Sequence, residues 1–223
     1  MKDFGLSRDV PVQRGATAVL FVDVQNYSME GGGQSAGLTP DEIATRYGYF
    51  FRAMREQAVP NMQRLQSACR TAGVEVLFTV IESLTLDGRE MGLDYKISGL
   101  FCPKGSRDAQ VLDEIAAEGD EIVVPKTSSS PFISTNINYL LGNLGIKHLI
   151  VSGVLTDQCI DSTVRDACDY GYLVTLVTDA CAALNEKQHA TSIANNRGYC
   201  RQRTTDEMIA ELASLGSVDA GTG

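Results

Sequence analysis

Short apolar runs alternate along the chain with longer stretches of helical period. Residues 16–24 (ATAVLFVDV), 74–80 (VEVLFTV), 121–125 (EIVVP), 148–153 (HLIVSG) and 172–178 (YLVTLVT) read as β-strands, with 199–202 a candidate sixth. Helices are predicted over 40–72, 106–117, 134–143, 157–170, 186–196 and 204–214. Thr39 is placed to cap the first, Pro40 fits its opening turn, Gly73 its stop, and Pro60 should kink or split it. Ser106 is placed to cap the second. Strands that are apolar throughout are buried on both faces, which is the mark of parallel strands joined by helical crossovers. Such crossovers are right-handed. The expected fold is α/β, a three-layer α/β/α sandwich around a mostly parallel sheet. Residues 81–105 break the alternation and read as a long excursion, a feature that is usually functional or folds on its own. No repeat or linker divides residues 1–223, so one domain is expected, with a disordered tail from about 216.

Composition narrows the classes. The chain has 223 residues, 28 acidic and 19 basic, for a formal charge of −9. Neither nucleic acid nor an anionic membrane is an expected partner, because both call for a basic face. The six cysteines show no CxxC and no close pairs, unlike a secreted disulfide framework. The N-terminal stretch has no apolar run, so no signal peptide is expected. Cytoplasm is the expected compartment, with most cysteines serving as small core residues.

In parallel α/β sheets, sites form at the carboxyl ends of strands. Strand 1 ends in Asp23, Gln25 and Asn26; strand 3 ends beside Lys126; after strand 4 come Val154, Leu155, Thr156, Asp157 and then Cys159. Taken singly, each has an ordinary explanation: Asp23 a turn or cap residue, Lys126 a lysine reaching to solvent, Cys159 a buried structural thiol. Together they are a nucleophile with a base and a supporting cation. A helix start and a nearby Lys126 are both expected to lower the Cys159 pKa toward the thiolate. The amides around Leu155 and Cys159 are candidate donors to an oxyanion.

The runs VLFVDVQN, VVPKTSSSPFIST and HLIVSGVLTDQCIDSTVRDACDYGY resemble the isochorismatase-like cysteine hydrolase superfamily, over roughly residues 17–205. The resemblance implies Asp23 as general base, Lys126 as its positive partner and Cys159 as nucleophile. It also implies a non-proline cis bond at Val154–Leu155, with Leu155 and Cys159 forming the oxyanion hole. It further implies a homodimer or tetramer, for which the helix bearing Tyr47, Phe50 and Phe51 is a candidate interface.

The segments IESLTLDGREMGLDYKISG and GYCRQRTT are similar to the biuret/triuret hydrolases and their ureidoacrylate amidohydrolase relatives. That likeness implies a small linear ureide, triuret or biuret, cleaved at a C–N bond. Ureidoacrylate or N-carbamoylsarcosine is the alternative within enzymes, and a redox-sensing scaffold the alternative outside them. Gln25, Asn26, Glu82, Tyr95, Thr156 and Gln202 are candidate substrate contacts, although Glu82, Tyr95 and Gln202 are equally readable as solvated loop polarity. Arg201 and Arg203 are candidates for holding a substrate carboxylate. Neither His148 nor His189 has the context of the metal site in related nicotinamidases, so no metal or cofactor is expected.

Overall fold

The computed structural model of the protein describes residues 3–216. Its strands are β1 (Thr17–Val22), β2 (Glu75–Ile81), β3 (Ile122–Lys126), β4 (His148–Val154), β5 (Leu173–Ala182) and β6 (Arg201–Arg203). They form one sheet in the order β3-β2-β1-β4-β5-β6, and every neighbouring pair is parallel. Its helices are α1 (Pro40–Ala53), α2 (Val59–Ala72), α3 (Leu93–Ser98), α4 (Pro131–Ser134), α5 (Ile137–Asn143), α6 (Asp161–Asp169), α7 (Glu186–Asn196) and α8 (Thr205–Ala213). None is long and apolar enough to cross a membrane.

Alternation along β1 feeds two cores. Val19 and Phe21 face the layer built by α1, α2 and α8, where Phe21 stacks on Phe78 at 5.5 Å between ring centroids. Ala18, Leu20 and Val22 face the layer of α5, α6 and the turn that precedes α6, which holds Ile137, Leu141, Ile160 and Val164. The chain runs outward from β1 through β2 to β3, then returns to β4 on the other side of β1. The carboxyl ends of β1 and β4 therefore flank the point where the strand order reverses, the place where open α/β sheets bind ligands. Gly153 lets these two strand ends approach: at φ +132°, an added Cβ would lie 2.2 Å from the Val22 carbonyl oxygen.

The stretch from Pro40 to Ala72 is split, as Pro60 leads one to expect, into α1 and α2 joined by a π-helical turn, Met54–Ala58. Pro60, which cannot donate to the ladder, sits in the first turn of α2. Other sequence expectations need correction. Residues 106–117 are not a helix but two single 3₁₀ turns, Arg107–Ala109 and Asp113–Ile115. Their backbone is engaged elsewhere: Asn26 N–H donates to the Gln110 carbonyl (3.1 Å) and Leu112 N–H to that of Val24 (3.1 Å). A helix there would withdraw those groups from the segment after β1. Ser106 makes no side-chain cap. The helix expected at 134–143 breaks at extended Thr135, whose hydroxyl bonds the Pro131 carbonyl and accepts from Ile137 N–H. The excursion at 81–105 carries α3 and packs a small core of its own from Ile81, Met91, Tyr95 and Cys102, together with Ala109. Phe50 and Phe51 lie in the main core. The tail expectation concerns residues almost wholly outside those described.

Candidate active site

Asp23 follows β1 directly. Its φ of +56° is in the left-handed region, which Asp adopts more readily than most residues. This turns the chain off the strand while its N–H stays bonded to the Thr79 carbonyl on β2 (2.9 Å). The Thr79 hydroxyl then donates to Asp23 Oδ1 at 3.1 Å. Lys126 ends β3, two strands and about 10 Å of sheet away from β1, a gap its long side chain closes. Its Nζ lies 2.8 Å from Asp23 Oδ2, with both side chains essentially excluded from solvent.

Cys159 sits on a π-helical turn, Thr156–Ile160, that precedes α6, instead of in the first turn of a regular helix. Helix α7 fixes that turn. Thr156 Oγ1 shares a hydrogen bond with His189 Nδ1 (2.9 Å), and Ser192 Oγ donates to the Thr156 carbonyl (2.8 Å). The Val154–Leu155 peptide is cis. Cys159 Sγ lies 3.5 Å from Lys126 Nζ and 3.5 Å from the Tyr95 hydroxyl.

An ammonium has three donors and no acceptor. Lys126 directs N–H groups to the Ser128 carbonyl (2.9 Å), the Tyr95 hydroxyl (3.0 Å) and Cys159 Sγ (3.5 Å). Asp23 Oδ2 lies 2.8 Å from the same ammonium as its ion-pair partner, and the Asp23 carboxylate is hydrogen-bonded by the Cys159 thiol as well as by Lys126. Burial raises the Asp23 pKa above the usual carboxylate range, although Lys126 pulls it down. Burial also opposes the Lys126 charge, but Asp23 and Cys159 outweigh it and hold its pKa above the ordinary value. Burial pushes the Cys159 thiol up to about 11, against the pull of Lys126. The expectation of a lowered thiol pKa is therefore corrected: the resting group is a thiol that needs a base.

These groups open onto a cavity of about 180 Å³. Tyr27, Ser28, Gln34, Tyr47, Tyr95, Ser98 and Gln158 supply its polar lining, and Ile81, Leu100, Val154, Leu155 and Leu184 its apolar wall. Asp23 is the charged side chain among the described residues that line it. The three glycines at 31–33 lead into the short turn that carries Gln34. Of the expected substrate contacts, the structure brings only Tyr95 into this cavity. Gln25 is fully buried and spent on backbone, bonding Ile81 N–H, the Ile81 carbonyl and the Asp108 carbonyl (2.6, 3.0 and 2.8 Å). Asn26 holds the Arg107 and Gln110 carbonyls. Glu82 accepts from Gly105 N–H, and Thr156 supports the π turn from behind.

Gln202 lies on edge strand β6 and bonds the Ile193 carbonyl. Beside it, Arg201 is paired with Glu211 and Arg203 with Asp9, so neither is free to bind a substrate. His148 is buried at the start of β4. Among the described residues, no three His, Cys, Asp or Glu side chains group as metal ligands. Sequence reasoning missed Thr79, Gln34, Ser98 and Gln158. Thr79 had a signal, as the lone hydroxyl within the apolar run VEVLFTV.

A family model described as the isochorismatase domain matches residues 17–208. The chain belongs to the isochorismatase family. Among curated relatives, a ureidoacrylate amidohydrolase of Rhizobium rhizogenes is 29% identical, covering 92% of this chain and 86% of its own. A second, from Variovorax paradoxus, is 30% identical over 74% of this chain and 68% of its own. A solved cysteine hydrolase from Pseudomonas syringae pv. phaseolicola 1448A shares the fold at a TM-score of 0.78 and 23% identity, covering 92% of this chain and 96% of that one. The six-stranded parallel sheet with helices on both faces is thus the fold of this family.

Proposed function

We propose that the chain is a cysteine amidohydrolase that cleaves a C–N bond of a small, uncharged ureide, with triuret or biuret the preferred substrate, in a reducing compartment such as the cytoplasm. The observation that carries this reading is a buried thiol set between a carboxylate and a lysine at the floor of a small cavity lined by hydroxyls and amides. Pockets for drug-sized ligands run roughly 300–1,000 Å³, so a cavity of about 180 Å³ suits a handful of heavy atoms. Glutamine, serine and tyrosine side chains both donate and accept, which matches a molecule made of N–H and C=O groups. The six free cysteines support a reducing compartment.

In this reading Asp23 takes the Cys159 proton as the sulfur attacks the amide carbonyl. The S–C bond forms and the carbonyl π pair moves to oxygen, held by the backbone amides of Leu155 and Cys159. Lys126 keeps the nascent thiolate and the carboxylate side by side. As the tetrahedral intermediate collapses, Asp23 returns the proton to the departing nitrogen, releasing ammonia and leaving a thioester. Water, deprotonated by Asp23, then cleaves the thioester and restores the thiol.

A second reading, a ureido acid such as ureidoacrylate, is supported by what the curated relatives are named. It asks for a cation at the carboxylate. Lys126 is fully buried and committed to its partners, and the two arginines expected for that role are paired on β6. Ammonia release should be compared across biuret, triuret, ureidoacrylate, N-carbamoylsarcosine and nicotinamide. The neutral ureides should lead, and Cys159→Ser should abolish release without lowering the melting temperature. Ureidoacrylate as the best substrate would install the second reading. Release that survives Cys159→Ser would remove the cysteine mechanism altogether.

A further inference from the structure

Tyr95 lies on α3, outside every strand end, yet its hydroxyl reaches the centre of the site. It is 3.0 Å from Lys126 Nζ and 3.5 Å from Cys159 Sγ, and the residue is only 4% exposed. Its position is imposed from two sides. Gly92 N–H, at the start of α3, bonds the Thr127 carbonyl at 2.9 Å, tying the helix to the residue after Lys126. An added Cβ at Gly92 would come within 3.1 Å of that same oxygen. At the other end of α3, Leu100 N–H closes on the Tyr95 carbonyl.

Donor accounting fixes the direction of each bond. Lys126 carries no acceptor, so in the Lys126–Tyr95 contact the phenol oxygen accepts. The Ser129 side chain also donates to the phenol oxygen, so the phenol's single proton is free to point at the sulfur. Resting on the proposed cysteine chemistry, we infer that Tyr95 is a further catalytic residue. Its hydroxyl donates a hydrogen bond to Cys159 Sγ and stabilises the thiolate, both when it forms during attack and when it leaves the thioester. No proton is transferred by the phenol. Asp23 receives the thiol proton, and the sulfur lone pair gains two donors, Lys126 N–H and Tyr95 O–H. Burial raises the phenol pKa, which keeps Tyr95 a donor throughout the neutral range. The excursion at 81–105 thus supplies a reacting group as well as a cavity wall.

The test reads the thiol without any substrate. Iodoacetamide labelling of Cys159 is followed by peptide mass spectrometry across pH, in the wild type and in Tyr95→Phe, with thermal unfolding as the check on fold. A hydrogen bond to a charged acceptor changes an equilibrium by about tenfold or more. In Tyr95→Phe, labelling near neutral pH should slow about tenfold, and the inflection should move up by about one pH unit. Substituting 3-fluorotyrosine at 95 keeps the shape and strengthens the donor, so its inflection should move down. An unchanged or lowered inflection in a folded Tyr95→Phe protein overturns the assignment, and so does a fluorotyrosine protein that fails to move. These readings are independent of turnover. Failure of the amidohydrolase reading would show instead as ammonia release that persists in Cys159→Ser.

Discussion

Replacing Lys126 with Met keeps most of the stem and deletes the charge. Asp23 Oδ2 and Lys126 Nζ are 2.8 Å apart with almost no exposure. At an effective dielectric of about 20, that separation corresponds to an attraction of about 6 kcal/mol. Desolvation of two buried ions offsets most of it, so the pair itself adds little to stability. Losing one partner is different, because it strands the other charge, and such deletions cost about 3–5 kcal/mol. The sign with pH follows from Asp23. Its folded pKa is already raised by burial and rises further once the cation is gone. An acid with a raised folded pKa binds more protons folded than unfolded, so stability falls as pH climbs from the unfolded value of about 3.9 through the folded one. The deficit of Lys126→Met should therefore be larger at pH 8 than at pH 5. Adding Asp23→Asn removes the stranded charge and should recover most of the loss at pH 8 while activity stays absent. Urea denaturation followed by circular dichroism at both pH values measures this. A Lys126→Met protein as stable as wild type at pH 8, or a double variant less stable still, would refute the reasoning.

Gly153→Ala would place a methyl 2.2 Å from the Val22 carbonyl oxygen at φ +132°, between the strands that carry Asp23 and Cys159. It should cost several kcal/mol, read as a large drop in melting temperature or as insoluble protein; near wild-type stability would mean that the β1–β4 approach is looser than described. Gln25→Leu keeps the bulk but strands the buried Ile81 N–H and two carbonyls. A loss of about 2–4 kcal/mol in urea denaturation is expected. A change in KM with stability intact would instead restore Gln25 as a substrate contact.

The parts of this molecule that sequence makes legible are those set by local pattern. Helix α7 spans Glu186–Asn196, the range its pattern predicts, and the structure adds Asn185 as its cap. Asp23, Lys126 and Cys159 stand out because a parallel sheet exposes little besides its strand ends, and few polar residues occupy them. What stayed hidden depends on partners distant in sequence. Residues 106–117 have an acceptable helical pattern, yet their backbone pairs with residues 24–26, which no local window contains. Gln25 and Gln34 are chemically alike, but one clamps the backbone and the other lines the cavity, and only the packing of the excursion separates them.

The charge state of the site follows the same division. Proximity of a lysine and a helix start points to a thiolate, because both act locally and in one direction. Burial acts in the other direction and depends on the whole fold, and here it is the larger effect: Cys159 rests as a thiol despite a lysine 3.5 Å away. A lysine alone would therefore leave the nucleophile idle at neutral pH. A carboxylate alone would be too costly to bury. Placing both against the sulfur resolves each difficulty with the other group. Lys126 opposes the effect of burial and favours the charged form of Asp23, and in the proposed mechanism Asp23, its affinity for protons raised by that burial, is the acceptor that the thiol requires. The three groups are interdependent, which is why single substitutions at any of them should remove most of the activity and why their effects should not add.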